Sequence, residues 1–349
     1  MYTREIQAPR TTPIENGKPL QGTWTRAFDD VDLLSIQRPF SVPLPGWIRD
    51  SRVKEWESFA VQDDNFYLDA ILINLKYYRA AQVFLYEKAS KERMVFKKLL
   101  PFSGWRLPRG LANASIESRS YGFFFRIHDW LDADTIRVDL NIQATRNRPA
   151  FTAHLKYDLD EKKTTPMVVT LPFSERRCMY AYKALAPVRG DMVFGGRHIS
   201  LEPAKTTGIF CDFKGFYPYF TRSFWCTGLG IDAENRRIGF SIAENQTRET
   251  YKNNENALWV NGRLTPLPPV RITIPNGTEA DWVVQDVEGM VDLTFTPQEP
   301  LRSALDLILT KAEYDSPLGF YNGMLMDSDG TEIPVRNLWG IGEKLYLRV

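Results

Sequence analysis

Residues Thr135 to Ile142 constrain the fold more than any other stretch. Ile136, Val138, Leu140 and Ile142 alternate with Arg137, Asp139 and Asn141 in a period of two. That period suits a strand with one buried face and one wet face, and no amphipathic helix can be drawn through it. Short apolar runs of the same kind recur along the chain, broken by Asp, Asn, Gly and Pro. They include Trp56 to Val61, Phe66 to Leu75, Gln82 to Tyr86, Gly122 to Ile127, Phe224 to Leu229, Arg237 to Ala243, Ala257 to Val260, Val270 to Ile274, Trp282 to Val287, Val291 to Phe295, Gly319 to Met326 and Leu345 to Val349. Such punctuation predicts a meandering antiparallel sheet, with Asp63-Asp64-Asn65 as a tight hairpin turn. Leu301 to Tyr314 has some helical character, but the alternation through Leu305, Leu307 and Leu309 favours a strand over Leu305 to Thr310.

The expected fold class is therefore all-β, with two tandem antiparallel barrel-like or sandwich domains. A chain of 349 residues is long enough for two cores. Residues 1–22 are rich in Pro and Gly and read as an arm on the surface, 23–170 as a first β domain and 171–349 as a second. The boundary is drawn in the stretch from Glu161 to Ala186, which Pro166 and Pro172 interrupt. A loose internal similarity agrees with this. Trp56, a turn ending at Asn65 and an apolar run to Asn74 mirror Trp225, a turn ending at Asn235 and an apolar run to Asn245.

Charge excludes one class of partner. Lys plus Arg number 44 against 43 Asp plus Glu, a formal net charge of +1, so no basic face for nucleic acid is expected. Cys178, Cys211 and Cys226 form no CxxC pair and no even framework, which predicts free buried thiols. No apolar run is long enough to span a membrane, and the polar amino terminus lacks the apolar stretch of a signal peptide, so the expectation is a cytoplasmic protein with no integral membrane association. Aromatic residues make up 13% of the chain. Strand-forming aromatics of an all-β protein are the first reading of that excess, and an aromatic-lined ligand cavity is the alternative.

Several segments carry a family resemblance. In order they are Asn16-Gly-Lys-Pro-Leu-Gln-Gly-Thr-Trp24, Arg52-Val-Lys-Glu-Trp-Glu-Ser-Phe59, Gly215-Phe-Tyr-Pro-Tyr-Phe-Thr-Arg-Ser-Phe-Trp225, Glu255-Asn-Ala-Leu-Trp-Val-Asn-Gly262, Val291-Asp-Leu-Thr-Phe-Thr-Pro297, Gly319-Phe-Tyr-Asn-Gly323 and Leu338-Trp-Gly-Ile-Gly-Glu343. Together they resemble the mostly bacterial family called domain of unknown function 2804. Phe224 departs from that pattern, standing where a tryptophan is expected. At a further remove the chain is similar to lipocalin-like proteins that include carotenoid hydratases. That likeness implies two tandem barrel-like domains and an apolar ligand.

Chemistry-bearing residues are sparse. His128, His154 and His198 show no metal-ligand spacing, no Gly-x-Ser-x-Gly elbow occurs, and Gly228 with Gly230 lacks the setting of a phosphate cradle. No cofactor and no histidine-rich metal site is expected, while carboxylates scattered on loops leave an oxygen-ligated metal open. His128 ends the aromatic run from Tyr121, but Asp129 beside it should point to the opposite face of the strand. Carboxylates offer more: Asp212, Glu244, Glu255 and Glu343 lie in or beside the family-like segments. An acid facing a poorly hydrated aromatic cavity has its charged form disfavoured and becomes a proton donor near neutral pH.

The reading is a protein that binds an apolar or amphipathic small molecule in an aromatic-lined β cavity. If the chain is an enzyme, its expected chemistry is cofactor-independent acid–base work such as hydration, cyclisation or isomerisation, with a buried carboxylate such as Glu244 or Asp212 as acid and a tyrosine or a histidine, His128 first among the three, as helper. Tyr217, Tyr219, Trp225, Asn245, Glu255 and Trp259 are the expected ligand-binding residues. The residues leave open whether the chain is an enzyme. Two alternatives stand beside this reading. One is a carbohydrate-active enzyme with a carboxylate pair in an aromatic cleft, and the other is a scaffold with an exposed apolar patch.

Overall fold

A computed structural model describes residues 1–100, 106–160, 163–306 and 311–348. The chain is nearly all strand, arranged as two curled, half-barrel antiparallel sheets. Along its main path the first sheet runs, neighbour to neighbour, Glu92–Leu99, Arg79–Glu87, Phe66–Asn74, Lys54–Gln62, Thr207–Gly215, Cys178–Phe194, Phe151–Asp158, Thr135–Ile142, Phe123–Trp130 and Ala114–Ser120. The second runs Arg263–Pro266, Ala257–Val260, Arg237–Glu244, Phe220–Ile231, Glu332–Arg348, Leu318–Met326, Val291–Glu299, Trp282–Gln285 and Arg271–Thr273. Lys311–Asp315 also pairs with Glu332–Arg348 and carries Arg302–Asp306 beyond it. The strand expected over Leu305 to Thr310 is seen only to Asp306, and the rest lies outside the described residues.

The period-two reading of Thr135 to Ile142 holds: Ile136, Val138, Leu140 and Ile142 are buried inside the first half-barrel. The Asp63 to Asn65 turn is pinned by Asp63, whose Oδ1 accepts from the amides of Asn65 at 2.7 Å and Phe66 at 3.0 Å. Cys178–Phe194 is a 17-residue strand that carries several neighbours, and it must bend. Gly190 lets it do so at φ +140°, where a Cβ would lie 1.9 Å from the carbonyl oxygen of His154.

The alternating pattern fails where it should. Thr207–Gly215 is buried at every position, because one face lines the first half-barrel and the other packs against the second sheet. Phe210 belongs to the inner core, whereas Ile209, Cys211 and Phe213 belong to a core between the sheets shared with Leu229, Trp259 and Leu318. The two hairpins that resemble each other in sequence, Lys54–Gln62 with Phe66–Asn74 and Phe220–Ile231 with Arg237–Glu244, lie within the two sheets, and each places strand residues at this interface.

Two boundaries differ from expectation. Residues 170 and 171 fall inside Met167–Pro172, a strand that pairs with both Cys178–Phe194 and Gly22–Trp24 of the first sheet. Its two prolines bracket that strand and open no linker. The chain leaves the first sheet at Gly215 and enters the second at Phe220, and we propose the division between the halves there. The amino-terminal arm, expected on the surface, is a strap. Tyr2 is buried in the second core and donates to the Tyr251 carbonyl at 2.7 Å, while Arg4 donates to Asn254 Oδ1 at 2.9 Å. Ile6–Gln7 then pairs with Gly22–Trp24 on the first sheet. No helix among the described residues is long and apolar enough to cross a membrane.

Candidate functional site

Between the sheets lies a cavity of about 180 Å³. Strand alternation decides what faces it. On Lys54–Gln62 the residues Trp56, Ser58 and Ala60 point to the cavity, and on Phe66–Asn74 the residues Tyr67, Asp69, Ile71 and Ile73 do so. The second sheet supplies Trp225, Thr227, Ser241, Ile341, Glu343, Leu345 and Leu347. Most of this wall is apolar. Exposed Lys97, with Ser303 and exposed Ala304, marks the end open to solvent.

Two acids face the cavity, one from each sheet. Asp69 is half-buried and lines the cavity. Its carboxyl is pushed up to about 8, first by burial and then by neighbouring Glu343. Glu343 is pushed up to about 7 by burial, while a hydrogen bond from the Tyr314 hydroxyl and the nearby Lys183 charge pull in the other direction. Burial thus brings both acids toward neutral pH, where a carboxyl can donate a proton or accept one. Tyr67 lies beside them with a buried hydroxyl that has no hydrogen-bond partner among the described residues, and burial pushes this phenol well above its ordinary value.

Behind the cavity wall an ion pair joins the sheets. Lys183 from Cys178–Phe194 and Glu255 from the loop before Ala257–Val260 are fully buried, with Nζ 2.7 Å from Oε2. Lys183 Nζ also donates to Ser241 Oγ at 2.9 Å. Glu255 Oε1 accepts from Asn245 Nδ2 at 2.8 Å and from the Trp225 indole at 3.4 Å. Cys211, opposite Lys183 in register, faces the cavity as a thiol pushed up to about 12 by burial.

The structure thus brings together Trp225, Asn245 and Glu255 of the expected set, places the candidate carboxylate Glu343 at the cavity and adds Asp69, Lys183 and Ser241. Other expected residues lie elsewhere. Glu244 sits at a strand end, 2.7 Å from exposed Arg271 and accepting from the Ile272 amide at 2.7 Å, and does not line the cavity. His128 stacks on Trp130 at 5.4 Å on the outer face of the first sheet, while Asp129 points inward, as neighbours on a strand must. Asp212 lies on the face opposite Cys211, inside the first half-barrel, paired with Lys214. Tyr217 is buried against Trp56 at 5.3 Å, behind the cavity wall. Tyr219 is exposed, packed edge-on to Phe220 at 4.8 Å. Trp259 is fully buried and donates its indole proton to the Thr165 carbonyl at 2.8 Å, a structural bond between the sheets.

The missed residues share one signal. Asp69 is the single acid on a strand face otherwise formed by Tyr67, Ile71 and Ile73, and Lys183 the single cation on a face of Met179, Ala181 and Leu185. A lone charge on an apolar strand face is costly unless it is paired or used. No group of three or more His, Cys, Asp or Glu among the described residues is placed to hold a metal ion.

The family model for a domain of unknown function (DUF2804) matches residues 3–348. Solved structures share the fold. CghA with Sch210972 is 12% identical, covering 86% of this chain and 89% of that one at a TM-score of 0.53. CghA alone is 13% identical, covering 85% and 89%, at 0.52. Kievitone hydratase from Nectria haematococca is 15% identical, covering 84% and 88%, at 0.49. No curated protein matches the chain.

Proposed function

The chain belongs to the DUF2804 family, and from that premise we propose that it binds an apolar or amphipathic small molecule in the cavity between its sheets and acts on it by cofactor-independent acid–base chemistry. The observation that carries this reading is the pairing of Asp69 and Glu343 in an otherwise apolar space. Asp69 serves as proton donor, for example to an alkene. Glu343, held by Tyr314, accepts a proton from water or from the substrate carbon. Such a pair suits hydration, isomerisation or cyclisation, none of which needs a redox cofactor. The aromatic wall, Trp56 stacked on Phe213 at 5.2 Å and Trp225 across the space, suits a flat or unsaturated body.

The carbohydrate reading needs an open, wet groove with a carboxylate pair astride it. Apolar side chains such as Ile71, Ile73, Leu345 and Leu347 argue for a greasy ligand instead. The test is native mass spectrometry of gently purified protein with solvent extraction of what it carries, followed by assay of that compound with Asp69→Asn and Glu343→Gln. We expect an apolar molecule bound one to one. Turnover should fall at least a hundredfold in either variant while binding persists. Stabilisation by sugars and not by apolar compounds, or full activity in both variants, would overturn the reading.

A further inference from the structure

The ion pair behind the wall does more than join two sheets, because one of its three donor directions ends on a hydroxyl that faces the cavity. Lys183 Nζ lies 2.7 Å from Glu255 Oε2, 3.4 Å from the Glu255 carbonyl oxygen and 2.9 Å from Ser241 Oγ. An ammonium has three protons and no lone pair, so Ser241 can only accept from it. The Glu255 carboxylate at 2.7 Å is the ionic partner of Lys183. The serine oxygen therefore spends a lone pair on a cation, and this makes its own O–H a stronger donor.

That proton has no acceptor among the described residues. Ser241 makes no other side-chain hydrogen bond among the described residues, is 3% exposed and lines the cavity. Thr227 stands directly opposite it across the Phe220–Ile231 and Arg237–Glu244 pair and lines the same space. The cavity wall thus holds a polarised hydroxyl, locked in place by a buried salt bridge and facing the same space as Asp69 and Glu343.

We propose that Ser241 is a binding donor for a ligand carbonyl oxygen, and that the apolar ligand is a ketone, enone or lactone, with Lys183 and Glu255 as positioning residues. The proposal rests on the cavity reading above and deepens it. A carbonyl oxygen accepts without donating, so it matches a hydroxyl whose oxygen is already engaged. A hydrocarbon would leave that hydroxyl unsatisfied, at a cost comparable to a lost hydrogen bond.

The test compares acetophenone with α-methylstyrene, which differ by an oxygen in place of a methylene group. Wild-type protein should bind the ketone about tenfold more tightly than the alkene. Its bound carbonyl stretch should lie at lower wavenumber than in hexane. Ser241→Ala should bind the alkene as before, which reports an intact cavity, and should lose the preference for the ketone together with the infrared shift. Equal binding of both probes by wild type, or a preference and shift retained in Ser241→Ala, would overturn the carbonyl assignment and leave the apolar cavity standing. Binding of neither probe would overturn the cavity reading with it. If Ser241→Ala does not fold, the wild-type infrared measurement decides alone, since an unshifted stretch excludes a polarised donor at the oxygen.

Discussion

Two groups of acids lie on opposite sides of the first sheet. On one face of the first sheet Asp69 meets Glu343 of the second across the cavity. On the other face, inside the first half-barrel, Glu57, Asp129 and Asp212 gather around Lys214. Burial raises all five carboxyls, so proton affinity alone does not separate a site from a structural cluster. Access does. Neither oxygen of Glu57 or Asp129 has a hydrogen-bond partner among the described residues, and neither residue lines the cavity. Three carboxyls share one cation there, and desolvation pushes Glu57 and Asp129 well above the ordinary carboxylate range. Trp56 and Glu57 are chain neighbours, yet one belongs to the ligand wall and the other to the sealed interior.

The sharpest way to break this comparison is to remove a cation from the sealed side. Lys214→Met leaves Asp212 buried without a partner and should cost about 3–5 kcal/mol in chemical denaturation. The loss should be smaller at low pH, where Asp212 is protonated. A loss below about 1 kcal/mol would mean that water reaches the cluster.

A smaller effect of opposite sign is expected on the cavity side. The folded-state affinities of Asp69 and Glu343 stand above their ordinary values of 3.8 and 4.5, at about 8 and about 7. Their contribution is full below about pH 4 and is lost as pH rises through 7 to 8, because only the folded state resists ionisation. The doubly substituted Asp69→Asn, Glu343→Gln protein should lose less stability than wild type between pH 5 and pH 8.5, so that the gap in its favour widens across that window. Parallel stability curves across that window would show both acids to be well solvated.

The smallest effect tests the residues that the structure leaves outside. Glu244→Gln breaks a pair with an exposed arginine and keeps an acceptor for the Ile272 amide, so stability should change by about 0.5 kcal/mol or less. Binding of the extracted ligand should not change. A large loss of turnover in this variant would return Glu244 to the site.

The strands were legible because alternation is a local property. Thr135 to Ile142 shows its two faces in the chain itself, and the Asp63 to Asn65 hairpin follows from side-chain bonds spanning a few residues. Of the residues singled out in the sequence, Trp225, Asn245 and Glu255 are hydrogen-bonded to one another in the second half, and Trp225 lines the cavity. Asp212 and Glu244 share their chemistry with Asp69 and Glu343, and composition could not rank the four. Nor could the arm reveal that Tyr2 and Arg4 tie it to the second half, because their partners lie in the distant loop from Tyr251 to Asn256.

By itself the sequence determined an all-β chain, with its strand faces, its aromatic excess and its supply of buried acids. These follow from residue type and from a spacing of two, which short stretches carry intact. Only the tertiary structure decided which faces meet. Parity along a strand tells that Cys211 and Asp212 point in opposite directions, but not which of those directions holds the second sheet. That depends on how the first sheet curls and on where Glu332–Arg348 docks, and these are sums over many distant contacts. The pairing of Asp69 with Glu343, and the ammonium behind Ser241, exist only once that docking is made.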